Sequence, residues 1–193
     1  LILNSTAADG SWGQSHADAL MRTADELNLE IVIRENVPDD DRCMDIIDEL
    51  VTEEDCFIVV CGSYGYGENV RKAAEKYPDR YFLHAAGTDH GQNYGSFFGR
   101  MYQLRYLSGI VAGLQTKTGH IGYVAAFPIA EVNRGINAFA LGVRSVNENA
   151  VVHVSFCDSW TSPETSAGAA ELLIKECNAD VLAMHTDSVA PMF

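Results

Sequence analysis

Two runs of alternating strand and helix signals, at nearly the same pitch, restrict this chain more than any other feature. The apolar strand centres Leu3, Ile31 and Ile58 stand 28 and 27 residues apart, and Val124, Val152 and Val181 stand 28 and 29 apart. Each interval holds a stretch with the period of an amphipathic helix. Ser11–Leu27 places Ala17, Leu20, Met21, Ala24 and Leu27 on one face, and Arg42–Thr52 does the same with Met44, Ile47, Leu50 and Val51. Further helices are predicted over Glu68–Lys76, Gly135–Val146 and Thr165–Cys177. Strands alternating with helices at this spacing build parallel sheets joined by right-handed crossovers. The continuous apolar run Cys56–Cys61 is the kind of strand that a parallel sheet buries on both faces. The reading is therefore α/β, with two similar lobes, each a parallel sheet with flanking helices.

Between the two runs lies Asn93–Gly113. Its apolar residues Phe98, Met101, Tyr102, Leu107, Ile110, Val111 and Leu114 recur at steps of mostly three and four. That pattern predicts a helix with one buried stripe, carrying the chain from the first lobe (residues 1–113) into the second (residues 114–193). The opening Leu1-Ile2-Leu3-Asn4 reads as the inside of a strand. The first lobe also has a helix and a strand after its third strand, and the second stops where their counterparts would begin. Both observations make the expectation a chain cut short at each end.

Charge and cysteine usage exclude several functions. A formal net charge of −14 opposes binding to a phosphate backbone, which needs clustered Lys and Arg. Nine of the acids lie between Asp39 and Asp55, against the single base Arg42, as on a solvated helix face. The spacing there lacks the central Gly and terminal Glu of a calcium loop. No apolar run is long enough to cross a bilayer, and no basic, apolar-cored leader opens the chain. The cysteines at 43, 56, 61, 157 and 177 form no CxxC pair, and the histidines at 16, 84, 90, 120, 153 and 185 no HExxH pair, so neither a metal nor another cofactor is expected. There is no GxSxG elbow, and Gly62-x-x-Gly65-x-Gly67 has the wrong order for a dinucleotide fingerprint. Nothing in the residues demands catalysis.

Ligands of open parallel sheets bind beyond the carboxyl ends of the strands. The loops expected there are 5–12, 62–67, 86–94, 127–133, 157–163 and 185–190. They hold both tryptophans of the protein, Trp12 and Trp160, each preceded by a serine (Ser11 and Ser159), together with Tyr64, Tyr66, Tyr94 and Phe127. Asn93, Glu131, Asn133, Thr186 and Asp187 lie beside them. Rings and amide or carboxylate groups at loop tips suit a flat ligand rich in heteroatoms, the rings stacking on its faces and the polar groups reading its edge. Either tryptophan alone would equally serve to plug the end of a core or to staple a helix start. The candidate ligand-binding residues are Ser11, Trp12, Tyr64, Asn93, Tyr94, Trp160, Thr186 and Asp187.

Several segments carry a family resemblance. Asp9-Gly10-Ser11-Trp12-Gly13-Gln14-Ser15-His16, Tyr102-Gln103-Leu104-Arg105-Tyr106-Leu107-Ser108-Gly109, Gly119-His120-Ile121-Gly122-Tyr123-Val124 and Arg134-Gly135-Ile136-Asn137-Ala138-Phe139 do so, as do Asp158-Ser159-Trp160, Ala179-Asp180-Val181 and His185-Thr186-Asp187-Ser188. In order along the whole chain, they resemble the basic membrane protein family, substrate-binding lipoproteins of bacterial ABC transporters that bind purine nucleosides or purine bases. The resemblance implies a two-lobed, type I periplasmic-binding-protein fold that closes on its ligand by a hinge. It implies one aromatic ring from each lobe around a purine, falling on Trp12 and Trp160, where phenylalanine is common in the family. Tryptophan there favours a bare base over a nucleoside, and the Asn93 region with Thr186-Asp187 resembles the adenine-binding branch. Family members hold ribose or the base edge with residues of a later segment that these residues do not include. The lipid-bearing cysteine is likewise not among them, so an ABC permease partner, an extracytoplasmic or periplasmic location and a lipid anchor follow from kinship alone. A ligand-sensing domain of a signalling protein, and a nucleoside hydrolase on the same scaffold, remain open beside the transport receptor.

Overall fold

The computed structural model describes all 193 residues, which fall into two compact units, Leu1–Gly99 and Arg100–Phe193. The first unit contains α1 (Trp12–Leu27), α2 (Arg42–Thr52), β1 (Ile58–Cys61), α3 (Gly67–Lys76), β2 (Tyr81–Ala85) and β3 (Tyr94–Phe97). Its strands form a parallel sheet in the order β1-β2-β3, and Ile2 extends it through single parallel bridges to Cys61 and Arg34. The predicted strands over 1–4 and 30–34 are thus present only as one bridge each way, held by bonds such as Ile2 N to Val60 O and Leu3 N to Arg34 O (both 2.9 Å). One core joins Ile47, Leu50 and Val51 of α2 and Val70 and Ala73 of α3 to Val59, Cys61 and Phe82 of the sheet. Burying a side chain such as Ile47 or Leu50 stabilises the unit by roughly 1.5–3 kcal/mol. Burial pushes the Cys43 thiol up, and the Cys61 thiol up to about 12, so both behave as small apolar groups.

Strand β3 is absent from the sequence reading, which ran 86–94 as one loop. It lies parallel to β2 although residues 86–93 alone connect the two, fewer than a parallel crossover ordinarily needs. Its sequence, Tyr-Gly-Ser-Phe, has little of the β-branched character that marks a strand. The connection turns at Ala86 (φ 61°) and is tied by Ser96 Oγ donating to the Asp89 carbonyl at 2.5 Å.

The second unit contains α4 (Met101–Gln115), β4 (His120–Ala125), α5 (Ala130–Val146), β5 (Val151–Phe156), α6 (Pro163–Cys177) and β6 (Val181–His185). Its sheet is parallel in the order β5-β4-β6. One face packs Ile121, Tyr123 and Ala125 under Val132, Phe139 and Val143 of α5, and the other packs Val124 under Ala169, Ala170 and Leu173 of α6. At the amino edge, Asp180 accepts from Thr116 Oγ1 and Lys117 N (both 2.6 Å) and from Thr118 N (3.0 Å). The Thr116 hydroxyl, then these backbone donors, hold its carboxyl well below the usual range.

Helix α4 corrects two expectations. It packs along α5 within the second unit, so the units divide after Gly99 rather than at 113/114. Its buried residues are Gly109, Ala112 and Gly113, whereas Leu107, Val111 and Leu114 of the expected stripe are 56–66% exposed. The reason is the closeness of the two helices. A Cβ on Gly109 would run into the backbone carbonyl of Phe139, and one on Gly142 into that of Tyr106. Small residues alone permit this approach.

Candidate functional site

In the first unit the start of α1 is held by Asp9 rather than by Ser11, whose side chain makes no capping bond. The Asp9 carboxylate accepts from Ser5 Oγ (2.7 Å) and from the backbone N–H groups of Ser11 (2.8 Å), Gly13 (2.9 Å) and Gln14 (3.0 Å), satisfying donors that the first helical turn leaves open. Burial works against its charge, but these bonds outweigh it and keep its pKa below the ordinary value. Gly13 has no alternative here, because a Cβ would meet Ser5, Thr6 and Asp9. The turn so built fixes Trp12, whose Nε1 donates to the carbonyl of Gly62 just past β1 at 2.6 Å. His16, one turn on, meets the indole edge to face at 4.3 Å, Phe98 lies 6.0 Å from the same ring, and Phe97 is 6.1 Å from His16. Burial lowers the His16 pKa, so a neutral imidazole completes an aromatic surface at the carboxyl end of the sheet.

In the second unit Trp160 follows β5 and stands 5.6 Å from Phe127 and 6.3 Å from His185, the last residue of β6. Its carbonyl accepts from Asp187 N (2.8 Å) and Ser188 N (3.0 Å), fastening the loops after β5 and β6 together. Next to His185 lie Tyr123, whose hydroxyl is 3.4 Å from His185 Nδ1, and Arg105, whose Nη1 donates to the Met184 carbonyl at 2.7 Å. Burial, then the Arg105 charge, lowers the His185 pKa to about 4, so this imidazole is neutral near pH 7. Burial raises the Glu131 pKa against the opposing pull of Arg134 and Arg105, and its carboxylate pairs with Arg134 at 3.1 Å. Gly135 leaves room for His185, since a Cβ there would stand 3.2 Å from its Nδ1.

The sequence-derived candidates divide into three groups. Trp12 and Trp160 occupy the carboxyl ends of their sheets, with Ser11 beside the first. Tyr64 is 44% exposed in the short 3-10 turn after β1, while its neighbour Tyr66 is fully buried and donates to the Val37 carbonyl at 2.5 Å. Thr186 and Asp187 stand beside Trp160, with the Thr186 hydroxyl, itself buried, donating to Ser188 O at 2.9 Å. Asn93 and Tyr94 are corrected. They lie at the amino end of β3, the opposite edge of the sheet. Asn93 Nδ2 donates to the carbonyls of Ala74, Tyr77 and Arg80 at 2.9–3.0 Å, and the Tyr94 hydroxyl donates to Asp89, so both are fasteners of the fold. Phe97, Phe98, Arg105, Tyr123 and His185 were missed. The double phenylalanine was legible as a signal, but without β3 it had no sheet end to stand on. Among the described residues no group of three or more His, Cys, Asp or Glu side chains could hold a metal ion, and no helix is long and apolar enough to cross a membrane.

Comparison with known proteins gives this geometry a family. The chain is 38% identical over 187 residues to a putative ABC transporter glucose-binding protein, TsgA13, of Haloferax volcanii, a match covering 96% of this chain and 47% of that protein. It is 38% identical over 133 residues to a purine-binding protein of Brucella abortus, covering 69% of this chain and 38% of that one. An ABC transporter solute-binding protein of Aeropyrum pernix K1 superposes on the whole chain with a TM-score of 0.83 at 20% identity, over 56% of its own length. The chain thus spans about half the length of its relatives, and the last likeness speaks to fold alone. The family model for PnrA-like ABC transporter substrate-binding proteins matches residues 1–189, and the chain belongs to that family, Bmp.

Proposed function

We infer that this chain belongs to the ligand-binding region of an extracytoplasmic receptor that captures a purine base or nucleoside and delivers it to an ABC permease. A lipid anchor outside these residues would hold the receptor at the membrane. The observation that carries this reading is an indole at the carboxyl end of the sheet in each unit, Trp12 and Trp160, each flanked by further rings. Indole faces suit flat, electron-poor heterocycles, and stacking of a base contributes roughly 1–3 kcal/mol per ring. Kinship with the Brucella purine-binding protein supports the choice of purine. The residues proposed to meet the ligand are Trp12, Trp160, Ser11, Tyr64, Thr186 and Asp187.

A second reading is a sugar, because the Haloferax relative is named for glucose and aromatic faces also stack on pyranose rings. Calorimetry on the full-length protein with adenine, guanine, adenosine, guanosine and glucose separates the two. Micromolar binding of at least one purine and none of glucose is expected; binding of glucose alone would replace the purine reading.

A further inference from the structure

Beside Trp160 the second unit gathers polar groups whose hydrogen-bonding capacity the protein leaves partly unused. Arg105 spends Nη1 on the Met184 carbonyl at the end of β6. Its Nε is buried with no partner. Buried donors are nearly always paired, so this guanidinium is held where another acceptor is to arrive. The Tyr123 hydroxyl and His185 Nδ1 stand 3.4 Å apart beside it. Glu131, which lies near this group, is already paired with Arg134.

We propose that Arg105 selects among purines, its guanidinium donating to a carbonyl oxygen, so that 6-oxopurines such as hypoxanthine and guanine bind in preference to the 6-aminopurine adenine. This rests on the purine reading above. An oxopurine presents the neighbouring acceptors O6 and N7, the edge that arginine reads best, and a cationic donor strengthens the bond. Adenine puts an amino group in the place of O6, which sets donor against donor and leaves both desolvated.

Hypoxanthine and adenine differ only around C6, so calorimetry of the two on the full-length protein tests the assignment. The parent should bind hypoxanthine roughly tenfold or more tighter than adenine, the size of one charge-assisted hydrogen bond. Arg105→Gln should bring the two affinities to within about threefold by weakening hypoxanthine alone, with Arg105→Lys intermediate. Adenine affinity that holds or rises in Arg105→Gln, where the donor-against-donor opposition is gone, certifies an intact site despite the lost bond to Met184. A parent that prefers adenine, a preference that survives Arg105→Gln, or an equal loss for both ligands would each overturn the role of Arg105 while leaving purine binding in place. Failure of the parent to bind either base would remove the purine reading and this one with it.

Discussion

Each unit carries an indole at the carboxyl end of its sheet, Trp12 after the first strand segment of its repeat and Trp160 after the second strand of its own, and the two are held and supported differently. Trp12 is pinned by its N–H to Gly62 O, so it offers a ligand only a fixed face. Trp160 is fastened by its backbone carbonyl, close to a polar group of His185, Tyr123 and Arg105. Their scaffolds differ as well. The first unit seats aliphatic side chains of α2 and α3 on its sheet, whereas the second brings α4 and α5 together backbone to backbone through Gly109, Gly113 and Gly142. The first unit is thus sensitive to lost volume and the second to added volume.

The largest expected effect tests that contrast in packing. Gly109→Val should destabilise the second unit by about 3 kcal/mol or more, because the obstacle is the Phe139 backbone, which cannot step aside. Leu50→Ala should cost the first unit about 2–5 kcal/mol by the opposite route, a cavity among Ile47, Val70 and Phe82. Urea unfolding of both variants decides it; a Gly109→Val protein as stable as its parent would refute the close helix approach.

Next comes pH. Folding keeps His185 neutral, so as pH falls below 6.5 the unfolded chain takes up a proton that the folded unit refuses until about 4. Stability contributed by this residue is therefore complete above about pH 6.5 and is lost toward pH 4, on the order of 1–3 kcal/mol. His185→Gln should flatten the decline in unfolding midpoint between pH 7 and 4.5, and an identical decline in that variant would show the loss to arise elsewhere. His16, which burial also lowers, is the corresponding group of the first unit and the control.

Asn93→Ala should cost about 1–3 kcal/mol, since it strips one shared donor from three backbone carbonyls. Purine affinity measured on the same protein should not change, and a selective loss of binding would return Asn93 to the site. The smallest effect distinguishes the indoles. Trp12→Phe removes the bond to Gly62 and should lower stability by about 1 kcal/mol, more than Trp160→Phe, whose residue is held through its backbone carbonyl. Equal melting temperatures for the two variants would break the comparison.

Much of this molecule was legible before any coordinates. Helix α2 lies where the periodicity puts it, α1 and α3 agree within a residue, and β1, β4, β5 and β6 contain the expected centres Ile58, Val124, Val152 and Val181, because amphipathic period and apolar runs are local properties. Both tryptophans were legible for a related reason: once strand ends are placed, their loops follow. Strand β3 was not, since it owes its existence to pairing with β2 and its own residues have weak strand preference. Missing it sent Asn93 and Tyr94 to the wrong edge and hid Phe97 and Phe98. The stripe of α4 failed in the same way, for hydrophobicity marks what can be buried and the spacing of backbones decides what is.

By itself, then, the sequence determined the α/β repeat, the parallel order of secondary structure and the two rings at the sheet ends, all of which depend on neighbours within a few residues along the chain. Only the tertiary structure decided that α4 meets α5 through glycines, that β3 closes one edge of the first sheet, and that Arg105, Tyr123 and His185 come together. Those three residues are 18 and 62 positions apart in succession, and no local pattern can bring them together. Packing and desolvation act through space, and they set which groups are charged and which donors remain open.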